Sequence, residues 1–246
     1  MVNNKTLSEY CHDYLKVDKF QDYCPNGLQV EGKADIQTLV SGVSANQDLI
    51  ERAIDEKADA LFVHHGFFWK GEDQKITGIK KNRIKALLDN NINLFAYHLP
   101  LDAHSEVGNN IQLAHRFGIK NPTPIGDTLV WQGEINTTLA DLADTIEQSL
   151  NRKPLTFGNN DKPLKTIAWC SGGAQNYMNH ALDINADCFI TGEVSEQNPA
   201  IAKENNIAFI SAGHHATERY GVQALCQHLS NKFGVKHQFI DVDNQV

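Results

Sequence analysis

The stretch Ala60-Leu61-Phe62-Val63-His64-His65 decides the fold that we predict for this chain of 246 residues. Four consecutive apolar residues are typical of a strand that is buried on both faces of a parallel sheet, and two imidazoles follow directly at its carboxyl end. Two similar apolar runs, Leu94–Tyr97 and Ala208–Ile210, are flanked by polar stretches of helical length. This alternation of buried strands and helices predicts an α/β fold.

Each of the three runs is followed by residues of the types that commonly bind metals: His64, His65, His98, Asp102, His214 and Glu218. In α/β sheets, ligands gather beyond the carboxyl ends of the strands, so we expect these clusters to converge in space. Histidine with carboxylate is a mixed nitrogen and oxygen donor set that suits Zn, Fe, Mn or Ni, and a carboxylate can bridge two ions. The sequence therefore predicts a site for two divalent ions per chain with open coordination positions, as catalytic metals need.

Each cluster also has a purely structural interpretation. On an extended strand the side chains of His64 and His65 diverge, so each would serve a different ion, but imidazole also satisfies buried polar groups. Pro100 disfavours a regular helix after the second run because it lacks an amide hydrogen. His214 and Glu218 lie four apart on a predicted helix and share one face, yet the same residues also favour a helix N-terminus without a metal.

The order of elements repeats along the chain. The run Leu39–Gly42, a helical segment and the run Ala58–His64 have a counterpart in Ile167–Gly172, a second helical segment and Ala186–Thr191. This internal duplication predicts two related α/β lobes, with the metal site at strand ends between the lobes.

The duplication also gives predicted boundaries. We expect a first α/β lobe at residues 1–120, a bridging segment at 121–165 and a second α/β lobe at 166–246. Within the bridging segment, prolines flank a strand-like run at Thr128–Ile135 and a helix at Leu139–Leu150.

Six short motifs, spread over nearly the whole chain, carry a resemblance to a known family: Asn26–Val30, Val63–Gly66, His98–Asp102, Ser171–Gly173, Thr191–Glu193 and Gly213–Arg219. They resemble the NIF-three-like dinuclear-metal-centre proteins, the homologues of GTP cyclohydrolase 1 type 2. The resemblance implies two α/β lobes and a toroidal homohexamer whose sites face its interior. It also implies the ligand sets: one ion is held by His64, Asp102 and Glu218, and the other by His65, His214 and Glu218, with Glu218 bridging.

Two histidines are candidates for catalysis. His98 and His215 lie beside the predicted ligands in sequence, and an imidazole has an ordinary pKa near neutrality, so each is a candidate general acid or base. Either side chain could instead pack in the core or support a metal ligand. The segment Ser171–Gly173 could cradle a phosphate with its backbone amides, but a tight turn that needs flexible residues is the commoner reason for such a sequence.

The function that these patterns favour is a dinuclear metal-dependent hydrolase. A metal-bound hydroxide would attack carbon or phosphorus of a small nucleotide-like substrate, as the resemblance to GTP cyclohydrolase 1 type 2 implies. The first alternative is a metal-binding or metal-delivery hexamer that turns over no organic substrate. The second alternative is a scaffold protein whose metals have lost their role.

Composition limits the partners. The net charge is −8 and no basic run is present, which argues against a dedicated nucleic-acid surface. Five cysteines without a Cys-x-x-Cys pair indicate reduced thiols. The first residues lack an apolar signal region and no run reaches membrane-spanning length, so a cytoplasmic protein without membrane contact is expected.

Overall fold

The computed structural model describes all 246 residues. They form two compact units, and each unit combines helices with a central mixed sheet. The first unit comprises Met1–Gly108 and Gly221–Asp243, and the second comprises Asn109–Tyr220 and Asn244–Val246. The predicted α/β class with two lobes is confirmed.

The strands of the first unit are β1 (Val2–Asn3), β2 (Gly27–Val30), β3 (Asp35–Ile36), β4 (Thr38–Ser44), β5 (Ala60–His65), β6 (Asn93–Ala96) and β13 (Lys236–Phe239). Its helices are α1 (Asn4–Tyr14), α2 (Gln47–Asp55), α3 (Gly78–Asp89) and α4 (Leu99–Ala103), together with residues 221–233 of α9 (His214–Phe233). A short 3-10 helix spans Val17–Lys19. The five-stranded sheet has the order β13-β4-β5-β6-β2, in which only β2 is antiparallel to its neighbour.

The central strand β5 shows why this sheet forms. Successive side chains of a strand point to opposite faces, so a strand that is apolar throughout must be covered on both sides. Phe62 belongs to one buried cluster of the unit, whereas Leu61 and Val63 belong to another. The apolar run therefore lies between two layers of side chains, and it carries the two histidines to its carboxyl end.

The strands of the second unit are β7 (Lys120–Pro124), β8 (Trp131–Thr138), β9 (Leu155–Phe157), β10 (Pro163–Trp169), β11 (Cys188–Thr191) and β12 (Ala208–Ser211). Its helices are α5 (Asn109–Phe117), α6 (Leu139–Leu150), α7 (Met178–Asp183) and α8 (Gln197–Glu204), with residues 214–220 of α9 and a 3-10 helix at Gln175–Tyr177. The six-stranded sheet has the order β7-β8-β10-β11-β12-β9.

The two sheets share a four-stranded pattern. In each, three parallel strands are followed by an antiparallel edge strand: β4-β5-β6-β2 in the first unit and β10-β11-β12-β9 in the second. An Ala-Asp dipeptide precedes the second of the parallel strands in each unit, Ala58-Asp59 before β5 and Ala186-Asp187 before β11. The aspartate accepts backbone hydrogen bonds in the same way in both units. One carboxylate oxygen of Asp59 accepts the backbone N–H groups of Gln37 and Thr38, and Asp187 accepts those of Lys165 and Thr166. These equivalent bonds support the predicted duplication.

Sequence patterns located some elements of the second unit and missed others. Helix α6 has the predicted bounds, and the predicted strand-like run overlaps β8, where Trp131 is a core residue. Strands β7 and β9 were not predicted. Pro122 and Pro124 lie in β7, which is an edge strand, and an edge position tolerates residues that cannot donate a ladder hydrogen bond.

Two further features concern the apolar length of the helices and the state of the cysteines. No helix combines the length and the apolar character that crossing a bilayer requires. All five cysteines are free and buried.

Candidate metal centre

In the first unit, His64 and Asp102 face each other. His64 is fully buried at the end of β5, and its Nδ1 lies 3.0 Å from the carbonyl oxygen of Tyr97. A carbonyl can only accept a hydrogen bond, so Nδ1 carries the proton and the Nε2 lone pair faces away from it. Nε2 lies 3.5 Å from Oδ2 of Asp102, which is buried in the short helix α4. A backbone carbonyl thus fixes the tautomer that leaves Nε2 as a ligand, an arrangement common at metal sites.

Helix α4 differs from expectation. Pro100 was expected to disfavour a regular helix, but the residues Leu99–Ala103 form one short α-helix with Pro100 in its first turn. The first amide groups of a helix have no carbonyl partner within the helix, so a missing N–H has no cost there. The amide of Asp102 donates to the carbonyl of His98, which fixes the carboxylate's position after β6.

Three imidazoles meet in the first unit. One ring nitrogen from each of His64, His65 and His98 can be chosen so that all three atoms lie within 4.8 Å of one another. The ring centroids of His64 and His65 are only 4.7 Å apart, so the full divergence expected of neighbouring strand residues is absent where β5 ends. Ser44 Oγ lies 3.1 Å from Nδ1 of His65 and orients that ring.

His98 is held by a carboxylate that sequence reasoning did not select. Its Nδ1 lies 2.7 Å from Oδ1 of Asp22, and its backbone N–H donates to Asn26. Asp22 also accepts the backbone N–H of Leu99 and the side-chain amide of Asn26. Burial alone would raise the pKa of Asp22, but the bonds from His98 and Asn26 outweigh it and lower the pKa to about 2. Asp22 is therefore an ionised partner that fixes the ring of His98.

In the second unit, His214 begins α9 and lies between two carboxylates. Its Nδ1 is 2.6 Å from Oε1 of Glu193, and its Nε2 is 3.3 Å from Oε1 of Glu218, one helical turn later. The predicted sharing of one helix face by His214 and Glu218 is confirmed. Burial would lower the pKa of His214, but Glu218 and Glu193 together raise it to about 9. Without a metal the ring is thus cationic at neutral pH, and a bound cation would replace that proton.

The glycine turn after β10 makes room for Glu218. Gly172 has a φ of +66°, and a Cβ there would lie 2.1 Å from Oε1 of Glu218 and 3.3 Å from Nε2 of His214. The amides of Ser171 and Gly172 donate to Asn110 and Thr217, so these two amides serve the turn rather than a phosphate. The tight-turn interpretation of Ser171–Gly173 therefore fits the structure better than the phosphate cradle.

His215, the second catalytic candidate, belongs to none of these donor sets. Its backbone N–H donates to the carbonyl of Val246, and its side chain is nearly buried in the first turn of α9. None of the groups of potential ligand atoms includes it. A catalytic role for His215 stays a prediction.

The geometry of both histidine–carboxylate pairs fits a divalent ion. A direct charge-assisted hydrogen bond between such groups is about 2.7–2.9 Å long, and His214 makes one of that kind to Glu193, at 2.6 Å. The Nε2 separations are longer, 3.5 Å for His64 and Asp102 and 3.3 Å for His214 and Glu218. Ligand bonds of about 2.0–2.2 Å at a tetrahedral angle place nitrogen and oxygen donors roughly 3.4 Å apart. The buried His, Asp and Glu groups can therefore bind metal.

The fold and these donor sets define a two-unit α/β protein with potential metal-binding histidines and carboxylates. The chain belongs to the Duf34/NIF3 (NGG1p interacting factor 3) family, whose model matches residues 2–245. The resemblance inferred from the motifs is thereby confirmed.

Individual relatives match the whole chain. A Pseudomonas aeruginosa protein named "GTP cyclohydrolase 1 type 2 homolog" is 49% identical over 245 residues, which cover 97% of both chains. A Haemophilus influenzae protein of the same name is 48% identical over 250 residues, covering 99% of both. Among solved structures, protein ybgI, described as of unknown function, superposes with a TM-score of 0.95 at 45% identity, and a Thermus thermophilus protein with 0.92 at 36%; each covers all of both chains.

Some residues hold the candidate ligands or the loop beside them in place, and these were harder to recognise in the sequence than the candidate ligands. Glu193 follows strand β11 within Thr191–Glu193, a motif to which the sequence alone assigned no role. Gln29, in another such motif, accepts the amide of Phe67 and donates to its carbonyl, which holds the loop after His65. Asp22 stands outside every motif and became recognisable only through its contact with His98.

Proposed function

We propose that this protein is a metal-dependent hydrolase that uses two divalent ions and acts on a small nucleotide-like substrate. In this proposal His64, Asp102 and Glu218 hold one ion, and His65, His214 and Glu218 hold the other, with Glu218 serving both. The donor set admits Zn, Fe, Mn or Ni. The substrate class is suggested by the name of the relatives, "GTP cyclohydrolase 1 type 2 homolog".

The main support for the proposal is the arrangement of two histidines and their partners. His64 and His214 each have Nδ1 engaged by an acceptor, a carbonyl in one case and a carboxylate in the other. In both, Nε2 faces a second carboxylate at a distance suited to two ligands of one ion. Acceptors on Nδ1 fix the ring orientation and increase the basicity of Nε2. Two independent pairs with this same arrangement are better explained by metal binding than by ordinary ion pairing.

The remaining residues supply proton transfer and orientation. When bound, two divalent ions would lower the pKa of a water and neutralise negative charge on the substrate. His98 is the proposed general acid or base, because its ring lies 5.0 Å from that of His64 and 5.8 Å from that of His65, centroid to centroid. Asp22 holds Nδ1 of His98 and leaves Nε2 to exchange the proton. Trp69 packs edge-on against His98.

Metal content is the first test. Elemental analysis of untagged protein purified without chelator should find about two divalent ions per chain. Glu218→Gln should lower the occupancy of both ions, since the amide keeps the shape of the side chain but cannot bridge two cations. Glu196→Gln, at an exposed position of the same unit, is the matched control and should keep both ions. Two ions retained in Glu218→Gln would refute the bridging role.

Turnover is the second test. The metal-loaded protein should be assayed with GTP and with a panel of phosphoesters, and His98→Ala should abolish activity while metal content stays unchanged. His115→Ala, at an exposed position on α5, is the control and should remain active. If no substrate is turned over while bound metal transfers readily to a competing chelator, the metal-delivery function replaces the hydrolase.

We also propose that the chain assembles into a homohexamer, as the family resemblance implies. Light scattering coupled to size exclusion measures the mass directly, and six copies of a 27.4 kDa chain are the expected result. A monomer at micromolar concentration would contradict the assembly.

A further inference from the structure

A cavity of about 510 Å³ opens in the second unit, away from the metal-binding residues of that unit. Its volume is within the range of small-molecule sites. It lies where β9, the start of β12 and the C-terminal part of α8 meet, and the residues that matter for its chemistry are Phe157, Asn159, Lys162, Ala202, Lys203 and Ile207.

The cavity and the donor set occupy opposite ends of the same strands. Ala208, the first residue of β12, lines the cavity, and His214 follows the last residue of that strand. Strand β9 runs antiparallel to β12, so Phe157, the last residue of β9, also lies at the amino end of β12. The cavity is therefore a second site and not an extension of the proposed catalytic one.

The apolar part of the wall belongs to the hydrophobic core of the unit. Ile207 and Ala202 are almost fully buried, and the ring of Phe157 packs against that of Phe209 with centroids 6.1 Å apart. A flat apolar body placed against Phe157 would gain contact area without displacing charged groups. Such a lining favours a ligand with an aromatic ring or a similar planar skeleton.

The two charged residues that line the cavity are both lysines. Lys162 is half-buried and Lys203 is exposed, and no carboxylate lines the cavity, although the chain as a whole carries a net charge of −8. The ammonium of Lys162 donates one hydrogen bond to the carbonyl of Asn206, which fixes its position. An ammonium group has three N–H donors, so two remain for a ligand.

We propose that this cavity binds a small organic anion with a flat apolar body, whose carboxylate or phosphate is held by Lys162 and Lys203. The body would rest on Phe157 and Ile207, and the side chain of Asn159 would offer a further polar contact. The site is independent of metal binding and of the hydrolase activity.

Calorimetric titration with 1-naphthoate tests both parts of the proposal, because this compound combines a carboxylate with a flat apolar ring system. The full-length protein should bind one 1-naphthoate per chain, and Lys162→Met should weaken binding roughly tenfold, as expected for the loss of one charge-assisted hydrogen bond. Lys203→Met should weaken it less, because that ammonium is more exposed. Lys165→Met removes an exposed lysine three residues from Lys162, outside the lining, and should leave binding unchanged.

Two further probes separate charge from shape. Neutral 1-naphthalenemethanol should bind more weakly than 1-naphthoate, and inorganic phosphate alone should bind more weakly still. In methyl-labelled protein, 1-naphthoate should shift the signal of Ile207 and leave that of Ile111 in α5 unchanged. Absence of 1-naphthoate binding, equal affinity in Lys162→Met and Lys165→Met, or an unshifted Ile207 signal would each overturn the proposal.

Discussion

Gly172→Ala is the most direct test of how the second unit positions Glu218. The new Cβ would lie 2.1 Å from Oε1 of Glu218, whereas ordinary van der Waals contact begins at 3.4 Å, so the carboxylate must retreat by about 1.3 Å. Metal sites tolerate displacements of only about 0.2 Å in their ligand distances. We therefore expect metal affinity to fall roughly tenfold or more, the loss seen even when only supporting residues of a metal site are changed.

The matched control is Gly118→Ala. Gly118 has a φ of +69°, close to the +66° of Gly172, but a Cβ at Gly118 meets nothing within 4 Å. A left-handed alanine should cost about 1–2 kcal/mol of stability at either position. Any additional loss of stability in Gly172→Ala then measures the contacts of the new Cβ with Glu218 and His214.

Two measurements decide the outcome. Urea unfolding of the metal-free variants gives the stability of each, and metal titration of the folded variants gives the affinity. We expect Gly172→Ala to be less stable than Gly118→Ala and to bind metal more weakly. Equal metal affinity in the two variants would refute the idea that Gly172 reserves the space in which Glu218 binds a cation.

Three further predictions concern the supporting residues and the metal. Asp59 accepts bonds from Lys33 and two backbone amides; burial would raise its pKa, but these bonds lower it below the ordinary 3.8. A carboxyl with a lowered pKa stabilises the fold above its unfolded pKa and loses that contribution as pH falls through the folded one. Asp59→Asn should thus cost about 1–3 kcal/mol at neutral pH, and in urea unfolding the difference from wild type should shrink below about pH 4; a constant difference would contradict this. Asp22→Asn should disturb the imidazole signals of His98 in NMR spectra, whereas unchanged signals would exclude the positioning role. If the protein is the hydrolase proposed, this variant should also lower kcat. If the protein binds divalent ions as proposed, a chelator should lower Tm and added Zn²⁺ should restore it, since an ion that binds only the folded state contributes about 2.7 kcal/mol at one hundred times its Kd. A Tm that stays unchanged under both treatments would argue against a bound ion.

The sequence alone indicated those strands and helices that a local pattern of apolar residues defines. The run Ala60–Val63 was recognisable as a buried strand because its apolar residues leave no polar face, and the start of α9 was recognisable from helical spacing. The duplication was visible because both copies keep the same order of strand, helix and strand. The family was recognisable from six short motifs, five of which lie at or just beyond the carboxyl ends of strands.

The sequence did not indicate the edge strands β7 and β9. Strand β9 has three residues and β7 contains prolines, so neither carries the alternation or the apolar run that marks a strand. Their pairing depends on neighbouring strands that supply the hydrogen-bonding partners. Only the assembled sheet could define them.

For the site, the sequence by itself determined which residue types could bind a metal and at which strand ends they lie. The tertiary structure decided what holds them: Tyr97 fixes the tautomer of His64, Glu193 orients the ring of His214, and Asp22 orients that of His98. The physical reason is the difference in the sequence range of the interactions. Helical and strand periodicity act over a few residues, whereas Asp22 and His98 are 76 residues apart in the chain, and such a hydrogen bond exists only after the backbone has folded.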